Sequence, residues 1–305
     1  AFDLTLQETT PWPQTVLLGE DVAVSVLNGV PDPLLRLRHA ECFTLCFVHR
    51  GQGRMFTDIG LLHFSKGDYI YLPRQTTYAF ASDSQDPLTL IIYEFPKRLM
   101  RPVSYWVDGY PFSQAAPAPA EPIKIEDSAN REGEWEVYVK HHKQGEPVLR
   151  LVYPFSPFDA VAWEGDIYPF VLHLKDIRAI ASPDMHIEPK VLTKFVTEDE
   201  SALIQTFKPR WSHSLPYPHQ NFVTEVLFNH RTYAARPKIP AGSITVHPPG
   251  TFHGPDLHAL KRDNETEVHP SELPWREEVA VMLEVRSPLA VLSSAEAIEI
   301  EDYET

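Results

Sequence analysis

Apolar and polar positions along this chain change over in short bursts, with few long helical periods. The runs "FTLCFVHR", "GLLHF", "DYIYLP", "LTLIIYEF", "VLRLVYPF", "FVLHL", "FVTEVLF", "SITVHPP" and "VAVMLEV" are rich in β-branched and aromatic residues. Gly, Pro, Asp or Ser bounds them. Each run predicts a strand. The clearest helical signal is "HPSELPWREEV", where a Ser N-cap precedes apolar and acidic spacing suited to roughly one or two turns. The fold class that follows is all-β, a sandwich or small barrel with few short helices.

Two features organise the strands. "SQAAPAPAEP", Ser113 to Pro122, is a Pro/Ala stretch expected to be extended, and it divides the chain into a shorter N-terminal and a longer C-terminal part. One pattern then occurs in both parts. "GDYIYLPRQTTY" (Gly67 to Tyr78) and "GSITVHPPGTFH" (Gly242 to His253) share Gly, five residues, Pro, one residue, a turn residue, two residues and a ring-bearing residue. This is the mark of a hairpin unit used twice.

Composition narrows the function class. Of 305 residues, 43% are hydrophobic and 23% charged, which is globular. The net charge of −15, with no Lys/Arg-rich run, argues against nucleic acid and anionic membranes as partners. No stretch approaches the roughly 20 apolar residues of a membrane helix. The start "AFDLTLQETT" lacks a basic region followed by an apolar one, so a cytoplasmic location is expected. Cys42 and Cys46 fall on one predicted strand, roughly 13 Å apart, too far for a disulfide. They are expected to be buried core thiols. The 29 prolines suit rigid turns between short strands. His141 and His142, in "VKHHKQG", are expected to be exposed loop residues without function.

The C-terminal hairpin carries the chemistry. Gly242, Pro248, Gly250 and His253 stand in the register of the second motif of the cupin superfamily, which the chain resembles here. Upstream, "HQNFVTE" resembles the first cupin motif through His219 and Glu225, with Asn221 where a second His often stands. The resemblance implies two cupin-like β-sandwich or jelly-roll units, a bicupin. Its bounds are 1–112 for an N-terminal unit without metal, 113–150 for the linker and connecting strands, and 151–305 for the catalytic unit. It also implies three metal ligands: His219, Glu225 and His253. Two neutral imidazoles and a carboxylate form the donor set of non-haem Fe(II) sites with open positions. His219 and Glu225 would lie roughly 20 Å apart on one straight strand, so the chain must turn within "QNFVT". In the N-terminal copy, Tyr78 and Gln75 replace His253 and Gly250, and that unit is expected to serve packing or assembly.

A narrower resemblance covers residues 154–256. "SPFDAVAWEGDIYPF", "HIEPKVLT", "FKPRWSHSLPYPHQNFVTE" and "HPPGTFHGPD" are similar, in order and separation, to homogentisate 1,2-dioxygenases. This implies an Fe(II)-dependent oxidoreductase that opens homogentisate, or a close analogue, with O2 to a maleylacetoacetate-type product, as in tyrosine and phenylalanine degradation. In that resemblance His186 is an active-site base, His247 a second active-site histidine that does not bind iron, and Tyr233 the holder of the substrate carboxylate. It also implies a homo-oligomer, a trimer or hexamer. Two other readings remain open: a ring-cleaving dioxygenase for gentisate or a hydroquinone, with Tyr233 or Arg236 clamping an acid, and a non-catalytic metal-binding cupin.

Overall fold

A computed structural model describes residues 1–3, 12–30, 32, 34–82, 87–100, 113, 115–124, 132–162, 169–177, 193–211, 219–231, 238–255, 257, 259, 261, 275–296 and 298–300. The expected fold class is the one found. Strands dominate, and helical turns such as Leu174–Asp176 and Ser293–Glu296 are short. No helix among the described residues is long and apolar enough to cross a membrane.

The early strands are β1 (Phe2–Asp3), β2 (Gln14–Leu18), β3 (Ala23–Gly29), β4 (Arg36–His39), β5 (Phe43–Arg50), β6 (Gly53–Thr57), β7 (Gly60–Phe64), β8 (Asp68–Leu72), β9 (Thr77–Ser82), β10 (Leu88–Phe95) and β11 (Leu99–Met100). The middle of the chain adds β12 (Ala118–Pro119), β13 (Glu132–Lys140), β14 (Leu149–Phe155), β15 (Phe170–His173), β16 (Thr193–Thr197) and β17 (Ala202–Phe207). The last are β18 (Arg210–Trp211), β19 (His219–Gln220), β20 (Thr224–Asn229), β21 (Ser243–His247), β22 (Phe252–His253), β23 (Trp275–Arg276), β24 (Ala280–Val285) and β25 (Ala290–Val291).

Three larger sheets form. One runs β14-β13-β4-β9-β6-β7, a second β12-β15-β8-β5-β10-β3-β2-β25, and a third β1-β21-β20-β24-β17-β16-β11. The second sheet is shared. Leu45, Phe47, Tyr69, Tyr71, Ile91 and Tyr93 pack in one core with Phe195, Ile204, Val226, Phe228 and Leu283 of the third sheet. The alternate residues Cys46, Val48, Ile70, Leu72, Leu90 and Ile92 pack in another core with Met55, Leu62, Tyr78 and Phe80 of the first. Burial on both faces explains why β5, β8 and β10 read as nearly unbroken apolar runs without a polar face. Each side chain so buried is worth about 1.5–3 kcal/mol. Polar groups also bridge the layers, as where the Tyr69 hydroxyl and Thr206 Oγ1 lie 2.8 Å apart.

The chain around the Pro/Ala stretch is woven into these sheets. β12 pairs with β15, and Glu121 bridges to Leu61. β13 runs parallel to β4, with β14 outside it. Both cysteines are buried and unpaired. His141 and His142 differ from expectation. They are half-buried, with His141 Nδ1 3.1 Å from Glu41 Oε1 and the His142 backbone N–H donating to Glu41 Oε2 at 2.8 Å. The helical signal differs too. Trp275–Arg276 is a strand pairing with Arg210–Trp211, so at these two residues the ladder prevails over helical propensity, while residues 269–274, the cap among them, lie outside those described.

The two similar stretches share their backbone shape. Gly67 and Gly242 have φ of 91° and 94°, and Gln75 and Gly250 have φ of 68° and 79°. After the first proline of each turn, Thr76 and Thr251 donate from both backbone N–H and hydroxyl to the carbonyls of Pro73 and Pro248. Where His253 stands in one copy, Tyr78 is buried against Phe80 in the other.

Candidate metal centre

The site is built where a buried strand pair meets a short surface ladder. In the third sheet Glu225 is the register partner of His247. β20 is buried along its whole length, which carries the Glu225 carboxylate into the interior beside Val226. In the small ladder His219 is the register partner of His253. The chain bends at Phe222 and Val223 between β19 and β20, as the spacing of His219 and Glu225 requires. The Pro248–Gly250 turn brings His253 back beside His247, and the two rings stack 4.5 Å apart at 9°.

Among the described residues, Glu225, His247 and His253 gather ligand atoms within 4.8 Å of one another. The contacts divide the carboxylate between its two sides. His247 Nδ1–H donates to Oε1 at 3.0 Å. Asn221 Nδ2 donates to Oε2 at 2.8 Å, and His253 Nε2 approaches that same oxygen at 3.4 Å. His253 Nδ1 faces the Thr251 carbonyl at 3.2 Å, and a carbonyl only accepts, so Nδ1 carries the proton. In a neutral His253, Nε2 then presents a lone pair toward a carboxylate oxygen. Asn221 Nδ2 lies within 3.5 Å of both atoms, and a second proton or a metal ion could also join them. Burial on its own would raise the Glu225 pKa. The hydrogen bonds and charge of His247 and His253 outweigh it and hold the carboxyl well below the usual range.

The donor set fits a divalent metal. Metal–ligand bonds of about 2.1 Å would place ligand atoms at most about 4.2 Å apart, and Glu225 Oε2 and His253 Nε2 stand 3.4 Å apart. Of the residues the sequence singled out, Glu225, His247 and His253 all lie in the cluster, so the structure places in it the histidine expected not to bind metal as well as the one expected to. The backbone sets His219 opposite His253, while the His219 side chain lies outside the described residues. His186, Tyr233 and Arg236 also lie outside them. Asn221 was legible only as a departure from the motif, and its grip on Glu225 needed coordinates. Phe222 and Phe252, next in sequence to Asn221 and His253, are 95% and 72% exposed and place large apolar surfaces on this part of the molecule.

Residues 181–305 match the family model described as homogentisate 1,2-dioxygenase C-terminal. A proposed dioxygenase of Saccharolobus solfataricus is 27% identical over 284 residues, covering 89% of this chain and 70% of that protein. The homogentisate 1,2-dioxygenase of Rhizobium rhizogenes is 30% identical over 158 residues. That match covers 47% of this chain and 34% of the enzyme, so the chain spans about a third of that relative's length. Among solved structures, a cupin 2 conserved barrel domain protein from Leptotrichia buccalis aligns with 91% of each chain at a TM-score of 0.42 and 11% identity.

Proposed function

We propose, from the match of residues 181–305 to the homogentisate 1,2-dioxygenase C-terminal family model and from the Glu225 cluster, an Fe(II)-dependent dioxygenase that opens a dihydroxylated aromatic ring, homogentisate or a close analogue. The observation that carries the reading is one buried carboxylate shared by two histidines and an amide within a single small cluster. Glu225 and His253 would hold the metal, with His219 the third ligand from the strand opposite His253. When bound, Fe(II) would supply adjacent open positions for an aromatic diol and O2.

The remaining work falls to this chain's own groups. Glu225 Oε1 holds His247 through Nδ1, so Nε2 is the atom that can take or return a proton during turnover. The stacked His253 ring fixes the plane of His247. Exposed apolar surface at Phe222 and Phe252 suits an aromatic ligand better than a sugar or a nucleotide. His186 is proposed as the second base and Tyr233 as the partner of a substrate carboxylate, and both roles rest on the family resemblance. The cytoplasm, a homo-oligomer and a unit boundary near the Pro/Ala stretch belong to the same proposal.

Oxygen consumption tests it. Protein reconstituted with Fe(II) is expected to take up O2 with homogentisate more than with gentisate or hydroquinone, and to form a product with a diketone-enolate absorbance. No uptake across a panel of dihydroxyaromatic acids would overturn the reading.

A further inference from the structure

Asn221 is the residue of the centre that neither charge nor metal preference explains. An amide is a poor metal ligand beside imidazole and carboxylate, yet this one sits in the middle of the donor set. Its Nδ2 is 2.8 Å from Glu225 Oε2 and 3.5 Å from His253 Nε2. Its own backbone carbonyl accepts from the Gly250 N–H at 3.1 Å, across the turn that delivers His253. It therefore touches the carboxylate-bearing strand, the histidine and the turn between them, from the bend that links β19 to β20.

A carboxylate with two free oxygens can chelate one metal ion through both. Here each oxygen has a separate commitment. Oε1 accepts from His247, and Oε2 accepts from Asn221 on one side while facing His253 on the other. An N–H on Oε2 occupies one of its two lone-pair directions and leaves the second pointing at the cluster. We infer that Asn221 is a positioning residue that turns Glu225 into a one-oxygen ligand, reserving Oε1 for His247 and keeping a coordination position open. The inference rests on the reading of this cluster as a metal centre. It adds that the amide, not the carboxylate alone, sets how many positions remain for other molecules.

The consequence concerns ligation, so it can be read without turnover. Co(II) replaces Fe(II) in such sites, and its visible bands report coordination number. In Asn221→Ala the carboxylate is freed to swing. Co(II) affinity is expected to fall about 10–100-fold, the usual cost of losing an outer partner, and the band envelope to change. Asn221→Leu keeps about the volume and removes the donor without adding a charge or a ligand, so a packing role predicts wild-type bands for it. A changed envelope in this variant too is the expected result. Thermal melts of the metal-free proteins establish that both are folded, since the backbone bond to Gly250 survives either change. Gln220→Ala, on the exposed neighbouring residue, serves as the control. Affinity within twofold of wild type together with unchanged bands in both variants would overturn the inference. If the wild-type protein binds no Co(II) or Fe(II) at all, the metal-centre reading falls and this one with it. If it binds metal with the expected variant effects but takes up no O2, only the proposed reaction falls.

Discussion

The sharpest test of the site separates His247 from His253. Both lie beside Glu225 and their rings are stacked, so proximity does not tell them apart. Their contacts do. His247 Nδ1–H donates to Oε1 at 3.0 Å. His253 has its Nδ1 proton committed to Thr251 and its Nε2 aimed at the carboxylate oxygen that Asn221 also holds. A hydrogen bond to a charged group is worth about 1.5–3 kcal/mol, and about 1.4 kcal/mol is tenfold in affinity. His247→Ala should therefore weaken Fe(II) or Co(II) binding by roughly 10- to 150-fold through a loosened Glu225. His253→Ala removes a proposed ligand and should cost more than His247→Ala does, since it takes away a donor and not only the hydrogen bond that steadies one. Competition with a chromophoric chelator under anaerobic conditions measures both constants. Metal content after desalting gives the coarse answer. Should His247→Ala lose its metal as completely as His253→Ala, His247 is a ligand and the division of labour is wrong.

Two further outcomes concern stability. Lys140 Nζ donates to Glu94 Oε2 at 2.6 Å and to Thr15 and Ser25 hydroxyls inside the first two sheets; Lys140→Met should destabilise by about 3–5 kcal/mol by stranding Glu94, while the double change with Glu94→Leu should recover most of that in urea denaturation. His49 and His230 meet Nδ1 to Nδ1 at 3.0 Å between the second and third sheets, and burial pushes their pKa values down to about 4 and about 3. Between those values and the usual 6.5 the unfolded chain binds more protons, so stability should fall as pH drops from about 6.5 toward 4. The double variant His49→Leu, His230→Phe should flatten that slope by up to about 1.4 kcal/mol per pH unit for each histidine removed, and an unchanged slope would refute the assignment.

What could be read from the amino-acid order follows from what each signal depends on. "GLLHF" and "LTLIIYEF" coincide with β7 and β10, because a short apolar run between turn residues has few other ways to bury itself. The ligand-bearing turn was legible because Gly250 occupies a left-handed backbone position, at φ 79°, that few other residues tolerate. The sharing of one sheet between two cores was not legible. A strand buried on both faces has no alternation to say which neighbour lies on which side. β13 was equally quiet, since Glu134 and Glu136 dilute the apolar pattern of a strand whose place is set by its parallel pairing with β4. The helical signal before Val279 was misleading at Trp275–Arg276, where the ladder to Arg210–Trp211 prevails. At the candidate site, residue types pointed to Glu225 and His253, which the structure brings together, but the place of His247 in the cluster and the opposing contacts of the two Glu225 oxygens exist only in three dimensions.

The sheet covered on both sides has an implication for how such a chain can change over time. Its upper and lower faces use alternate residues of the same strands, so Phe47 answers to Phe228 on one side while Cys46 and Val48 answer to the first sheet on the other. The hairpin at Gly67 to Tyr78 can then lose any chemistry of its own and still be indispensable, because Tyr69 and Tyr71 floor the layer that carries Glu225. Substitutions on the inward faces of that hairpin would therefore reach the Glu225 cluster through packing, without touching it.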